Sequence, residues 1–583
     1  MATVEQNQFW ESDDKIAISQ KSVAIPATNG LTYSGGQRVI IEVPPNIQFF
    51  QPKQSFLEFD IKLSIPSGVE FPTLLQLDET LGGNSIIKEF RIYSGGVGKI
   101  LLEEYSNYNC LTNVKYSYET NDVIRAKRAL TEGSTYHSVK NRGTAGTTES
   151  HKNNTTDNPY FNNPSFKTGT DKFNDDDFKV VKCILPLHTG IFASNKVFPN
   201  MLTDGLVIDI ILEDGAKVVK QLDTASRFRT LQNLPVFHSI NGDEDAPDDW
   251  DANATKTVFY IRNTNSMTSE DKLPFCVGEV LGFVKNDGTL SFDNASKVVI
   301  ESWETNANGL IKINLSGTDA SVNTDVEADG NWFVYSRSCD FDTWSGVNYT
   351  VSNVELKLQQ LDMPQGYISK MMSMMKEGGQ MNYDFLSFTN YKYSQLYSDV
   401  VANIRLPLNM ARAKAILSVP TDATSYKANE FISGSGGYIS YDVQATRDFW
   451  YHSDKAGMVG CVDFLKEYQY FYDGKLNPSR KIDVSRTSSQ VSISQSHLIE
   501  LEKALVMSNI NPYSFREFNK NFVIGRALSL HNGCYDTRGK DFNLQVEYSG
   551  TGKDKPDKNK LWMNFVAHLR RIVFNQNGIS LQV

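Results

Sequence analysis

The chain has 583 residues, 40% of them hydrophobic and 11% aromatic, and a formal charge of −10 at neutral pH. That length and apolar content supply several buried cores and predict about two to four domains. The acidic balance argues against a protein that wraps nucleic acid by itself, since phosphate neutralisation needs clustered Lys and Arg. No apolar run reaches the roughly eighteen residues of a spanning helix, and the opening MATVEQNQFWESDDK lacks the basic and apolar regions of a secretory leader, so neither a transmembrane segment nor conventional secretion is expected.

Residues 1–30 are polar and weakly patterned, the signature of an extended arm that orders only against a neighbour. The arm is acidic: Glu5, Glu11, Asp13 and Asp14 outnumber Lys15 and Lys21, so no basic arm is available to grip a genome. Strands follow at Arg38 to Val43, stopped by Pro44-Pro45, and in FLEFDIKLSI, where Leu57, Phe59, Ile61, Leu63 and Ile65 alternate with polar residues. A third strand, Ile86 to Tyr93, ends at Gly95-Gly96. From Leu101 to Tyr118 the recurrence of Leu101, Tyr105, Tyr108 and Leu111 predicts an amphipathic helix capping one end of a sandwich.

Residues 133–178 are rich in Asn, Thr, Asp, Gly and Ser and read as a surface excursion. The stretch LPLHTGIFASNKVFPNMLTDGLVIDIILE (185–213) then gives a short strand, a loop closing at Phe198-Pro199, and a strand with Leu206, Ile208, Ile210 and Leu212 on one face. A longer insertion covers about 230–345. Its β-rich runs, Thr257 to Ile261 and Leu310 to Leu315, predict a small β subdomain or tower. Val354, Leu356 and Leu358 return to the core, and a Met-rich helix, Tyr367 to Lys376, stops at Gly378-Gly379.

The second half repeats the strategy. Strands are predicted at Met381 to Phe388, Val400 to Leu408, Val462 to Tyr472, Lys481 to Ser485, Phe522 to Leu530, Phe542 to Tyr548 and Leu561 to Phe574, with a helix from Ser496 to Ser508. Many short strands with turn signals, plus a helix over each half, define an all-β chain of two tandem jelly-roll β-sandwiches, with short helices and a β-rich insertion in the first. The divisions are an arm at 1–30, a first jelly roll at 31–378 with insertions at about 133–178 and 230–345, and a second jelly roll at 379–583.

Four stretches carry a family resemblance: SIIKEFRIYSGG with ILLEEYSNYN (85–109), the 185–213 stretch, VSNVELKLQQLDMP (351–364) and YFYDGKLNPSRKIDVS (470–485). Through them the chain resembles the double jelly-roll major capsid proteins of tailless icosahedral double-stranded DNA viruses, those of virophages and polinton-like viruses above all. The resemblance implies a homotrimer of pseudo-hexagonal outline, sandwiches upright in a virion shell and loops forming outer towers. It further implies neighbouring capsid trimers, penton and minor capsid proteins as partners, and assembly inside the host cell around a genome that is enclosed with little direct binding.

Sharper chemistry is weaker on the residues themselves. Gly95-Gly96-Val97-Gly98-Lys99 fails as a phosphate loop, because Tyr93 stands where its leading Gly belongs and Ile100 replaces the Ser or Thr. Ser433-Gly-Ser-Gly-Gly437 reads as a flexible loop. The acidic run Asp243 to Asp251 is interrupted by Ala246-Pro247 and, like Asp175 to Asp177, reads as a solvated loop rather than a calcium site. The six cysteines are scattered, with no CxxC pair, and predict reduced, buried thiols. His188 near Cys183, and His531 near Cys534, lack the further partners that a thiol protease or metal site requires. Arg570-Arg571 and Arg480-Lys481 are basic pairs suited to carboxylates across subunits rather than to DNA.

These readings predict a non-enzymatic major capsid protein with no catalytic residue, cofactor or metal. Phe49, Phe50, Tyr391, Tyr393, Tyr397 and Trp562 are the candidate interface or inter-sandwich aromatics, the residue types enriched at such surfaces. The alternatives are a minor capsid or spike protein of the same particle, and a carbohydrate-binding β-sandwich protein.

Overall fold

The computed structural model describes residues 18–64, 75–134 (apart from 79, 96–98 and 120), 180–221, five strands between 258 and 336, 348–423, 457–513 (apart from 462–464 and 485–494) and 521–583 (apart from 529–532, 549–558 and 577). Residues 1–17 of the arm, nearly all of the 133–178 excursion, both acidic runs, the Ser433 loop and His531 lie outside the described residues.

In chain order the first half contributes β1 (Ser19–Pro26), β2 (Thr32–Ser34), β3 (Arg38–Val43), β4 (Phe49–Ser64), β5 (Leu75–Gln76), β6 (Ile87–Ser94), β7 (Leu101–Ser106), α1 (Tyr108–Glu119), α2 (Asp122–Thr131), β8 (Val180–Pro186), β9 (Leu206–Leu212) and β10 (Lys220–Gln221). The inserted tower holds β11 (Val258–Arg262), β12 (Val280–Lys285), β13 (Val298–Thr305), β14 (Leu310–Ser316) and β15 (Trp332–Ser336), after which β16 (Asn348–Asp362) completes the half. A linking helix, α3 (Gln365–Lys376), ends where Gly378 adopts φ +83° and Gly379 N–H returns to Met374 O at 3.0 Å. The second half contains β17 (Met381–Gln395), β18 (Val401–Leu406), β19 (Ala413–Asp422), β20 (Leu465–Tyr472), β21 (Lys475–Asp483), α4 (Gln495–Met507), β22 (Ile524–Ala527), β23 (Phe542–Tyr548), β24 (Lys560–Asn575) and β25 (Gly578–Gln582).

Strand order within the sheets defines the architecture. One sheet of the first half runs β1-β16-β4-β8, with β2 beside β16, and the other runs β3-β9-β6-β7. In the second half the sheets run β17-β24-β19-β22, with β25 beside β24, and β18-β23-β20-β21. All these pairings are antiparallel. Matching β1/β2 with β17, β3 with β18, β4 with β19 and onward to β16 with β24 reproduces every neighbour in the same chain order. Each half is therefore a jelly roll of the same topology, and the fold is a double jelly roll. The tower is its own five-stranded sheet, β11-β14-β13-β12-β15, inserted between β9 and β16.

Local sequence explains the well-formed strands. Leu57, Phe59, Ile61 and Leu63 of β4 are buried while their neighbours are half-exposed. The strand starts earlier than alternation predicts, because residues 52–55 bulge where β16 offers only Leu358, which removes Pro52 from the ladder. Ser55 Oγ repairs the gap by donating to Gln51 O at 2.9 Å and accepting from Gln359 N–H at 3.3 Å.

Two expectations change here, and one strand appears that alternation does not reveal. Leu101–Ser106 is a strand, paired with β6, and the helix begins only after Asn107, whose φ of +57° turns the chain. Leu101 and Tyr105, four residues apart, fit both periodicities, and pairing with β6 decides between them. Ser19–Pro26 of the predicted arm is a strand on the chain's own β16, not a segment awaiting a neighbour. β19 carries no alternation because its sheet is buried on both faces: Ala413 and Ile416 enter the second sandwich's core, while Ala415, Leu417 and Val419 join the cluster that also contains the first sandwich.

Candidate functional site

The two sandwiches meet across α1. Ten of its residues are buried, among them the polar Asn109, Thr112, Asn113 and Ser117, so the helix is enclosed between sandwiches rather than capping one. Burying polar groups is tolerable only when they are hydrogen-bonded. Asn113 Nδ2 donates to Met458 O at 3.2 Å, Asn521 Nδ2 donates to Ser117 Oγ at 3.1 Å, and Gly460 N–H donates to Asn521 Oδ1 at 2.9 Å. Tyr118 extends the seam by donating its hydroxyl to Asn521 O at 2.9 Å and accepting Tyr513 N–H on its carbonyl at 3.0 Å.

A second lock forms at the helical turn Gly190–Ala193. The fully buried Glu103 carboxylate accepts from Gly190 N–H at 2.7 Å, Ile191 N–H at 3.1 Å and Tyr105 Oη at 2.8 Å. Burial raises its pKa, opposed by these hydrogen bonds and by the nearby Arg570 guanidinium from β24. Arg570 itself donates to Leu102 O at 3.1 Å, bridging the halves. Gly190 has no alternative residue type: a Cβ there would run into the Leu386 carbonyl and stand 2.6 Å from Glu103 Oε1. Next to it, rings chain from Phe192 through Phe50 and Phe198 to Tyr383 and Phe385, at centroid spacings of 5.2–6.1 Å.

Behind this lock lies a polar cluster. His188 Nε2 is 2.8 Å from Tyr116 Oη, which donates to Glu132 Oε2 at 2.6 Å, while Asn84 Nδ2 reaches the same oxygen at 3.1 Å. Lys115 Nζ stands 3.3 Å from His188 Nδ1, and the Arg128 guanidinium covers the Tyr116 ring at 3.5 Å. Burial, then Lys115 and Arg128, push His188 well below its ordinary pKa, so the ring is neutral. The partners fix its tautomer: Nδ1 accepts from the lysine and Nε2–H points to the tyrosine oxygen. Burial also lowers the Lys115 pKa and raises that of Glu132.

The sequence candidates fall into distinct places. Phe49, Phe50 and Trp562 are buried inside the chain; Phe49 sits edge-on to Tyr367 at 6.1 Å, and Trp562 Nε1 donates to Gln395 Oε1 at 2.8 Å. Tyr391 and Tyr393 are half-buried against the second core, and Tyr397 is exposed beside Leu396 and Val401. Cys183 is buried. Arg571 grips Asp384 through two bonds of 2.8 and 2.9 Å, and Lys481 pairs with Glu467 and Glu547, so one member of each basic pair finds carboxylates within the chain. Among the described residues no group of three or more His, Cys, Asp or Glu side chains is arranged to hold a metal, and no helix is long and apolar enough to cross a membrane. Glu103, Gly190 and the Tyr116–Glu132 pair escaped sequence reasoning because their partners lie far apart in the chain. The available signal was the run of Asn, Thr and Ser through an otherwise apolar α1.

No protein-family model and no curated protein matches the chain. Solved structures are similar over nearly its whole length. A cryo-EM structure of the Sputnik virophage matches at 9% identity over 98% of this chain and 89% of that one, with a TM-score of 0.42. The Faustovirus major capsid protein matches at 8% identity over 98% and 92% with a TM-score of 0.44, and the mavirus major capsid protein at 8% over 100% and 95% with a TM-score of 0.33. At these identities the likeness concerns the fold, which stands here on the chain's own sheet order and register.

Proposed function

We propose that the chain is a major capsid protein, a non-enzymatic tile that associates in threes to build an icosahedral virion shell around a double-stranded DNA genome. The observation that carries the reading is the repetition of one jelly-roll topology in two halves locked together through α1 and Gly190. Three copies of such a unit present six similar sandwiches around an axis, which gives a hexagonal outline without six chains. The family resemblance of the four sequence stretches supports the same conclusion. Leu396, Tyr397 and Val401, each about half exposed at one end of β17 and β18, supply apolar surface for a neighbouring protomer. Neighbouring trimers, penton and minor capsid proteins are the further partners, and the acidic chain encloses its genome with little direct contact.

Native mass spectrometry and negative-stain imaging of the purified chain test the reading. Threefold particles with a hexagonal outline are expected. A monomer that persists at high protein concentration overturns it.

A further inference from the structure

The outer strands of the sandwich sheets are not equally protected. Such a strand offers a row of unpaired N–H and C=O groups, and folded proteins blunt it with a cap, a bulge or a proline. β3, an edge of the first sandwich, is capped: Thr28 N–H donates to Ile40 O at 2.8 Å, Ile40 N–H donates to Asn29 Oδ1 at 2.8 Å, and Asn29 Nδ2 donates to Arg38 O at 2.7 Å. β21, one edge of the β18-β23-β20-β21 sheet, breaks its ladder between Asn477 and Ile482, where Pro478 sits. β18, the other edge and the counterpart of β3, pairs with β23 without interruption from Val401 to Leu406 and carries no proline. Tyr548 N–H donates to Val400 O at 2.8 Å, which turns the backbone of residues 402, 404 and 406 toward β23 and that of Val401, Asn403 and Arg405 outward. Among the described residues nothing bonds to those outward backbone groups, and all three residues are exposed.

This edge is bounded and symmetric. Before it, Asp399 donates its N–H to Leu396 O at 3.1 Å and accepts Gln395 Nε2 on its carbonyl at 3.2 Å; after it, Pro407 has no N–H. The outward positions therefore repeat about Asn403. An antiparallel copy of the same strand, turned about a twofold axis at that residue, satisfies all of them, with Asn403 opposite Asn403 and Val401 opposite Arg405. Sliding the copy by two residues either way sets an outward residue against Asp399 or Pro407 and leaves groups unpaired. In the symmetric register the Arg405 stem lies over Val401 while its head stays 3.4 Å from Asp541. The two Arg405 charges stand about 13 Å apart along the strands, beyond the roughly 8 Å screening length of physiological salt. We infer that β18 is a docking edge for the β18 of a second copy, so that two four-stranded sheets join into one across a twofold axis. Leu396 and Tyr397, about half exposed in the turn that leads into β18, extend the seam with apolar surface. A twofold contact does not close a ring of three. The inference rests on the assembly reading in one respect alone, that the seam falls between threefold units rather than within one.

The test introduces single cysteines into the full chain, with the exposed Cys534 changed by Cys534→Ser, and maps disulfides between copies by peptide mass spectrometry after mild oxidation. Directly opposed residues lie within disulfide reach, and residues four positions out of register do not. Asn403→Cys is expected to link to itself at least tenfold more than Val401→Cys or Arg405→Cys alone, and a mixture of the last two to link as well as Asn403→Cys. Asn403→Pro removes an outward N–H that the ladder to β23 does not use. Added to both members of that mixture, it is expected to cut the yield at least fivefold while the thermal melt and any threefold particles stay unchanged. Links at Asn403→Cys in a chain that forms no threefold particles uphold the seam and defeat only the assembly reading. Val401→Cys linking to itself as readily as Asn403→Cys, a yield unchanged by Asn403→Pro, or no link at the highest soluble concentration overturns the inference.

Discussion

Where β4 ends and β16 begins, the first sandwich pairs Ser64 with Asn348, two half-buried neutral residues at the root of the tower. At the equivalent point of the second sandwich, Asp422 of β19 lies opposite Lys560 of β24, and this ion pair has no solvent exposure. The same topological position therefore tolerates either neutral polar groups at the edge of an insertion or an enclosed charge pair. Enclosed charges cost desolvation energy that only their mutual attraction and further hydrogen bonds offset, so the second sandwich depends on this corner far more than the first.

The helices differ in the same direction. α1 is enclosed on nearly all sides, whereas α4 buries His497, Leu501, Ala504 and Leu505 and leaves Ile499 and Val506 about half exposed. The first sandwich thus supplies the helix that joins the halves, and the second keeps its helix at the surface.

The largest effect that separates the halves is expected at the enclosed ion pair. Lys560→Met leaves the Asp422 charge without its ammonium partner and should cost about 4 kcal/mol, while Asn348→Ala at the matching corner should cost under about 1 kcal/mol. Combining Lys560→Met with Asp422→Leu should recover most of the loss, as read by urea denaturation. Next comes the junction: Gly190→Ala drives a methyl into the Leu386 carbonyl and should cost about 3 kcal/mol. Gly525→Ala, which meets only the Leu501 and Ala504 atoms of the more superficial α4, should cost about half as much. Equal losses from the two glycine variants in thermal melts would contradict the asymmetry.

Acid provides a graded comparison. His188, in the first half, is held well below its ordinary pKa by burial and by Lys115 and Arg128; His497 and His568, in the second, are lowered to about 3, chiefly by burial. Because the folded values lie below the unfolded value of about 6.5, the unfolded chain takes up protons first as the pH drops. The stability from each neutral ring is fully present above that value and is lost toward the folded one, at about 1.4 kcal/mol per pH unit per histidine. Glu103 and Glu132, raised by burial, act oppositely: their contribution is present below the ordinary carboxylate pKa and fades as pH rises through the folded values. Hydrogen exchange between pH 6.5 and 4.5 should show the second sandwich losing protection first, and His497→Phe should flatten that response.

The smallest expected effect is the coupling across the seam. A double-mutant cycle of Asn113→Ala and Asn521→Ala should return about 1 kcal/mol of interaction energy, since both side chains belong to one hydrogen-bonded set. Additive losses would show that α1 is held by packing alone.

Legibility followed burial. β3, β4, β9 and β23 were readable because one class of residue faces the core at every second position or in a compact run, and α3 because Gly378 ends it. β19 was missed because both its faces are covered and Pro420 interrupts it, and α2 because the turn from α1 separates it from any longer apolar pattern. The candidate site was read least well. Its aromatics were chosen by type, and type alone does not distinguish Trp562, enclosed with Gln395, from Tyr397 at the surface. The lock at Glu103 depends on a glycine some ninety positions away, a relation that only the folded chain creates.

The tower leaves after β10 and returns at Asn348, and the return is tied to the stretch that leads out, since Tyr349 Oη donates to Glu213 O at 2.6 Å, eight residues before the end of β10. An insertion whose ends are stapled by the body transmits little strain to it. Residues 222–347 therefore form a replaceable cassette: exchanging them for a foreign domain with closely spaced termini should leave both sandwiches folded, which makes this site the natural graft point for displaying cargo on the molecule.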